Sequence, residues 1–314
     1  MDASQGEVPD RKIAGFWRRL GAFVIDVILL GIAGMILGAL FFDPFARMGA
    51  YARLIGFAIA LAYFGIFNSR IGGGQTLGKR WLGVRVVDAH DQWLSLPRSL
   101  LRYTVLGLPF FANGLPIGSQ WVLSTPLDYL LALVIFGSML STVYLYLFNR
   151  RTRQSLHDLV VGSYVERFDR ATQPAPFPVM WRGHLVALAV IAVIALGGPL
   201  ASNRWAQSKT FAGILSLDQT LSTQPHVMTV QVARGWSSMN GGKATHSLQS
   251  SLWLDAPMTE DGDMARRVAQ QMAKADPNIA DEDVVVVTLV YGYDMGIASG
   301  WKKHGYSFRP GELQ

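Results

Sequence analysis

Arg19 and Asp26 stand seven residues apart, and Asp26 lies inside a run that is otherwise apolar from about Leu20 to Phe42. Seven residues make two helical turns, so the two side chains share a face with a rise of roughly 10 Å between their backbones. A carboxylate at that depth of a membrane costs on the order of 3 kcal/mol on insertion scales, so it needs protein or water around it and a partner. Two readings follow: a charge pair that fixes packing, or a polar group lining a path for an ion, a proton or a polar ligand. The stretch from Gly73 to Lys79 has the G-x-x-x-x-G-K spacing of a phosphate-cradling loop. Arg80 stands where that loop needs Ser or Thr, and an apolar run rather than a strand precedes it, so nucleotide binding is rejected. A membrane-surface turn fits better, with Lys79, Arg80 and Arg85 meeting anionic lipid headgroups and Val84 to Val87 opening a hairpin that turns at Asp88 to Asp91. The six histidines lack metal-ligand spacing, and Ser155, His157 and Asp158, although adjacent, belong to no motif that would converge into a nucleophilic triad. There is no cysteine, which excludes disulfide frameworks, Cys-ligated metal and thiol catalysis. No cofactor is implied, and the chain does not read as an enzyme.

The elements that must hold these residues are membrane helices. Of 314 residues half are apolar and only 16% charged, with a mean hydropathy of +0.25, too apolar for an ordinary soluble protein of this size. Runs long enough to cross about 30 Å of hydrocarbon occur at about 20–42, 51–67, 100–116, 127–148 and 185–200. The third carries Arg102 at its start and Pro109, Asn113 and Gly114 further along, so it is broken or tilted. Lys and Arg gather before the first run, between the second and third (Arg70, Lys79, Arg80, Arg85, Arg98) and after the fourth (Arg150, Arg151, Arg153, Arg167, Arg170), whereas the alternate loops hold Arg47 alone. Basic short loops stay on the cytoplasmic side, so the N-terminus is expected inside and, with five spans, the C-terminal region outside. The net charge of +6 is thus spread over loops rather than forming a patch, and no nucleic-acid partner is expected. Gly34 and Gly38 make one small-xxx-small pair that permits close helix packing or dimerisation.

Beyond the fifth run the pattern changes to that of a soluble α+β unit at 201–314. Alternation in His226–Ala233 and His246–Leu254 predicts a strand pair, with a turn at Asn240-Gly241-Gly242. Asp261–Ala275 has helical spacing at Met264, Val268 and Met272 and is ended by Pro277. Val284–Val290 is a β-branched run expected to be a buried strand, with a partner through Gly305–Phe308. The fold class is therefore an α-helical multi-pass membrane protein with a C-terminal soluble α+β domain. Its parts are a membrane domain at 1–170, a cytoplasmic linker at 171–184, a span at 185–200 and an extracytoplasmic domain at 201–314.

Three separated stretches resemble the RDD family of bacterial membrane proteins, named for one arginine and two aspartates. They are Gly15-Phe16-Trp17-Arg18-Arg19-Leu20-Gly21-Ala22-Phe23-Val24-Ile25-Asp26, then Gly74–Asp88, then Gln154–Gly162. The resemblance covers about 11–167 and implies that Arg19 or Arg18 is the family arginine, Asp26 the first aspartate and Asp158 the second. It also implies a place in the bacterial cytoplasmic (inner) membrane and a role in moving ions or small ligands. The expected function is passage of an ion or small polar ligand along a path containing Arg19, Asp26 and Asp158. Four spans make a thin wall, so a homo-oligomer is expected as well. The alternative is a membrane scaffold whose external domain binds a protein or envelope partner. Membrane lipid is a partner in either reading.

Overall fold

The computed structural model describes residues 13–117, 126–168, 177–206, 209–237, 245–276 and 279–313. The expected turn at Asn240–Gly242, Pro277, Arg11, Lys12, Arg170 and residues 171–176 of the linker lie outside these residues. The chain divides into two compact units, Met1–Ala33 with Arg53–Pro199 and Gly34–Ala52 with Leu200–Gln314. The architecture is a helical membrane part plus an α+β domain. Among the described residues four helices, Phe16–Leu40, Gly49–Phe67, Leu127–Phe148 and Gly183–Ala201, are long and apolar enough to cross a membrane.

In the first unit the elements are α1 (Phe16–Leu40, whose first part belongs here), α3 (Arg53–Phe67), α4 (Leu77–Trp81), β1 (Val84–Asp88), α5 (Leu96–Ala112), α6 (Leu127–Ala132), α7 (Ser138–Phe148), α8 (Leu156–Val161), β2 (Ser163–Arg167) and α9 (Gly183–Ala206). A π-helical turn at Leu133–Gly137 joins α6 to α7. The expected hairpin after Val84 is corrected here. The chain does turn after Asp88, whose backbone N–H reaches Gln92 and whose carboxylate caps the N–H groups of His90 and Gln92. The partner strand, however, is β2, antiparallel, with Val86 opposite Val165. Val84, Val86 and Val165 are buried with Leu94 and Val161, and a remote strand buries that valine face where a solvent-facing local hairpin would leave it wet.

This small sheet also gathers the helix ends. Ala14 donates to the Val165 carbonyl just before α1, and Arg70, just after α3, donates to the Leu94 carbonyl just before α5. Asn149, at the end of α7, uses its side-chain amide to bind Thr152 and the Gln154 carbonyl on the way to α8. The start of α1, the end of α3, the start of α5 and the end of α7 therefore meet at one end, and the helices alternate in direction. α5 begins after Ser95 with Pro97 in its first turn and contains Pro109. It is 17 residues long, shorter than the four apolar helices and carrying Arg98 and Arg102, yet it runs the length of this arrangement against α3. At its far end Arg53 donates to the carbonyls of Phe110 and Asn113, 3.0 and 2.5 Å away.

The second unit contains α2 (Phe42–Ala46), α10 (Lys209–Ser222), β3 (Val227–Ser237), β4 (Thr245–Leu254), α11 (Gly262–Ala275), β5 (Val284–Asp294) and β6 (Ser299–Phe308). The strand order is β3-β4-β5-β6, antiparallel except for the parallel β4–β5 pair, which α11 connects as a crossover. Leu248, Leu252, Val285, Val287 and Leu289 pack against Met264, Val268 and Met272 of α11 and Leu217 and Leu221 of α10. Asp261 caps α11 by accepting from Met264 N–H at 2.8 Å. The strands and helix expected from alternation are present; the parallel pairing and α10 were not foreseen. The loop after α1 also belongs here: Tyr291 donates to Asp43 at 3.1 Å, and the Phe42 ring lies edge-on to those of Tyr291 and Tyr293. Gly34 and Gly38 sit against Ala298, Ile297 and the Tyr293 hydroxyl, where a Cβ would collide, so their smallness is used for packing inside the chain.

Candidate functional site

Two buried carboxylates organise the first unit. Asp158 occupies the third position of α8, where the first turn presents unpaired N–H groups, and its Oδ2 accepts from the Ser155 N–H at 3.2 Å. The same oxygen accepts from Arg19 at 2.5 Å. Its Oδ1 accepts from Arg102 Nε and Nη2 at 3.0 and 2.7 Å and from Ser163 at 3.0 Å. Asp158 is fully buried and both arginines nearly so. Burial works against the charge of Asp158, but Arg102 and Arg19 hold its carboxyl well below the usual carboxylate range. Arg19 also donates to the Arg153 carbonyl and lies over the Tyr146 ring.

Asp26, two helical turns further along α1 than Arg19, is held by neutral donors. Tyr63 and the Gly78 N–H reach its Oδ1 at 2.6 and 2.8 Å, and Thr76 reaches Oδ2 at 2.5 Å. Thr76 is at the same time the N-cap of α4, accepting from the Lys79 N–H at 3.3 Å. A Cβ on Gly78 would run into the Ala22 carbonyl and stand 3.0 Å from Asp26, so only glycine allows α4 to come this close to α1. The loop that imitates a phosphate-binding motif thus wraps a carboxylate of its own chain.

Lys79 and Arg85, assigned from sequence to lipid headgroups, have other company in the fold. Lys79 is half-buried, and its ammonium donates to Asn68 and lines a cavity together with Arg19, Asp26 and Arg102. Burial, then Arg102, push the Lys79 amine well below its ordinary value. Arg85 pairs with Glu166 at 2.7 Å and stacks over Phe168. Arg80 alone of the three is exposed. Arg18 is exposed too, so Arg19 is the arginine that enters the cluster. Arg19 and Asp26 line one cavity but bind different partners.

Sequence reasoning missed Arg102, the second arginine on Asp158, and His157. A basic residue near the start of an apolar run was the available signal for Arg102; it calls for a buried acidic partner, and Asp158 is one. His157 is 2% exposed, its Nε2 lies 3.5 Å from Asp158, and its Nδ1 has no hydrogen-bond partner among the described residues. Burial pushes the imidazole down to about 3, with Arg102 and Arg19 acting the same way against the opposing pull of Asp158. It is therefore neutral near pH 7. The cavity lined by Arg19, Asp26, Lys79, Arg102, Tyr146 and His157 has a volume of about 40 Å³. Such a space can hold a small polar or ionic species among converging donors.

The RDD family model matches residues 13–162, which contain every residue of this cluster except Ser163. YckC of Bacillus subtilis (strain 168), an uncharacterized protein, is 28% identical over 156 residues, or 49% of this chain and 84% of its own. No solved structure matches. Residues 13–162, with Arg19 and Asp26 lining one cavity and Asp158 bound to Arg19, are an RDD family domain, and the rest of the chain lies outside it.

Proposed function

We propose that this membrane protein binds and passes an ion or small polar ligand, without covalent chemistry, through the cavity of its RDD domain. The observation that carries the reading is the convergence of Arg19, Lys79, Arg102, Asp26 and His157 on one small cavity among helices. Charge at such depth is costly, and its retention in an otherwise apolar unit marks an ion or polar-ligand pathway by default. The three Lys/Arg-rich segments meet at the end defined by β1 and β2, which supports a bacterial cytoplasmic-membrane topology with that end inside and residues 201–314 outside. Exposed Arg80 at this end is left to meet anionic headgroups. A homo-oligomer would thicken the wall around so narrow a path.

The test is tracer flux through proteoliposomes containing the full chain. Asp158→Asn and Asp26→Asn proteins that insert and elute normally are expected to lose most flux. Wild-type flux in both variants would reject the reading. The second reading, a scaffold whose external domain binds an envelope partner, draws on the independent core of the second unit. Removing residues 201–314 would not test it cleanly, because Phe42 and Asp43 pack within that unit and would be uncovered too.

A further inference from the structure

The chemistry of the ligand follows from which hydrogen-bonding positions around the cavity are already used. Asp158 Oδ1 receives three donors and Oδ2 two, so its lone pairs are taken. Asp26 Oδ1 receives two donors and Oδ2 one, leaving a single acceptor position. A hard cation stripped of water needs about six oxygens, and the carboxylates here cannot offer them without breaking their own bonds. Donors, by contrast, are in surplus. The Lys79 ammonium has three N–H bonds, and its one hydrogen-bond partner among the described residues is Asn68. Arg102 uses only Nε and Nη2, and the buried His157 Nδ1 has no partner among the described residues. His157 turns Nε2 to Asp158 Oδ2 at 3.5 Å, so its proton sits on Nε2 and Nδ1 is an acceptor that adds no donor. Three cationic side chains, Arg19, Lys79 and Arg102, and one carboxylate, Asp26, line this space, and the second carboxylate, Asp158, is bound to Arg19 and Arg102.

Resting on the binding reading above, we propose that the cavity is a site for a small anion, a halide, nitrate or short carboxylate, bound by Lys79 and Arg102. A volume of about 40 Å³ sets the scale; it admits roughly two or three water-sized groups. The anion takes donors that Asp26 and Asp158 leave unused and balances the third positive charge.

Melting of the full-length protein in detergent tests this. At constant sodium concentration and ionic strength, formate, nitrate or chloride replaces gluconate, and in a parallel series lithium, potassium and choline replace sodium at constant formate. The expected result is a saturable rise of the midpoint with at least one small anion, indifferent to the cation. Lys79→Gln and Arg102→Gln should each require at least tenfold more anion for the same rise, whereas Arg267→Gln, exposed on α11, should leave the curve in place. If the variants do not fold, the wild-type series decides by itself. No anion effect, an effect of cation identity alone, or an unchanged anion response in folded Lys79→Gln and Arg102→Gln proteins would overturn the proposal. If anions are without effect but Asp158→Asn still abolishes cation flux in vesicles, the anion site is rejected and the transport reading stands; if the variants also leave flux intact, both are rejected.

Discussion

Asp26 and Asp158 are both fully buried in the same unit, and Asp26 lines the cavity whose arginines bind Asp158, yet they are held in opposite ways. Asp158 is clamped by two guanidinium groups that are themselves buried; Asp26 rests on a tyrosine hydroxyl, a threonine hydroxyl and a backbone N–H. Removing one member of a buried charge cluster strands the others, whereas losing a carboxylate that neutral donors hold leaves only unmet hydrogen bonds. The comparison separates a structural lock from a site with room to respond: Asp158 ties α1, α5 and α8 together, and Asp26 joins α1 to the loop before β1.

The sharpest break of that contrast is at Asp158. Asp158→Leu leaves Arg19 and Arg102 without their anion and is expected to cost about 3–5 kcal/mol, seen as loss of folded protein in detergent. Arg19→Leu combined with Asp158→Leu should recover part of that loss, with a coupling energy of about 1–3 kcal/mol. Strictly additive losses would show that the clamp does not form.

Next in size is the effect of pH on His157. Its folded pKa, about 3, lies below the ordinary value of 6.5, so the unfolded chain takes up the proton first. Stability is complete above pH 6.5 and falls as the pH drops toward 3, by on the order of 3 kcal/mol at pH 4 if the full shift holds. Asp158, also held below its ordinary value, adds to the loss only below about pH 4. Detergent melts between pH 7 and 4 should show the slope in the wild type and not in His157→Gln. A slope of equal size in the variant would assign it to other groups.

Gly78→Ala should cost about 1–3 kcal/mol by pushing α4 off α1, without touching the Asp158 clamp. If Gly78→Ala melts like the wild type, the close approach of α4 is not required. The smallest effect concerns the pair that sequence spacing brought together. Losses from Arg19→Leu and Asp26→Leu should add to within about 0.5 kcal/mol, because each residue binds other partners. A coupling of several kcal/mol would mean that they meet after all.

The long apolar helices were legible because crossing hydrocarbon demands length and apolarity, which are counts along the chain. Likewise β3, β4, α11 and β5 were readable from periods of two and 3.6. The parallel pairing of β4 with β5 was not, since alternation shows which side of a strand is buried and not which strand lies beside it. α10 was missed because its apolar positions do not stand out within Lys209–Ser222. Val84 to Val87 read as one arm of a local hairpin for the same reason: a nearby turn was visible, and a partner 80 residues away was not.

Sequence alone determined that charge is buried in this membrane protein, at Asp26 above all, and through three ordered motifs it marked Arg19 and Asp158 as well. Insertion energetics act on each residue where it stands, so the need for a partner is written locally. Which partner answers the need was decided only by tertiary structure. The closing of β1 on β2 brings α8 under α1 and α5 and gives Asp158 two arginines, while Gly78 lets a turn fold in against Asp26. The direction of Lys79, inward to Asn68 rather than outward to lipid, depends on a side chain's choice between two neighbourhoods whose energies differ by less than composition or spacing can register.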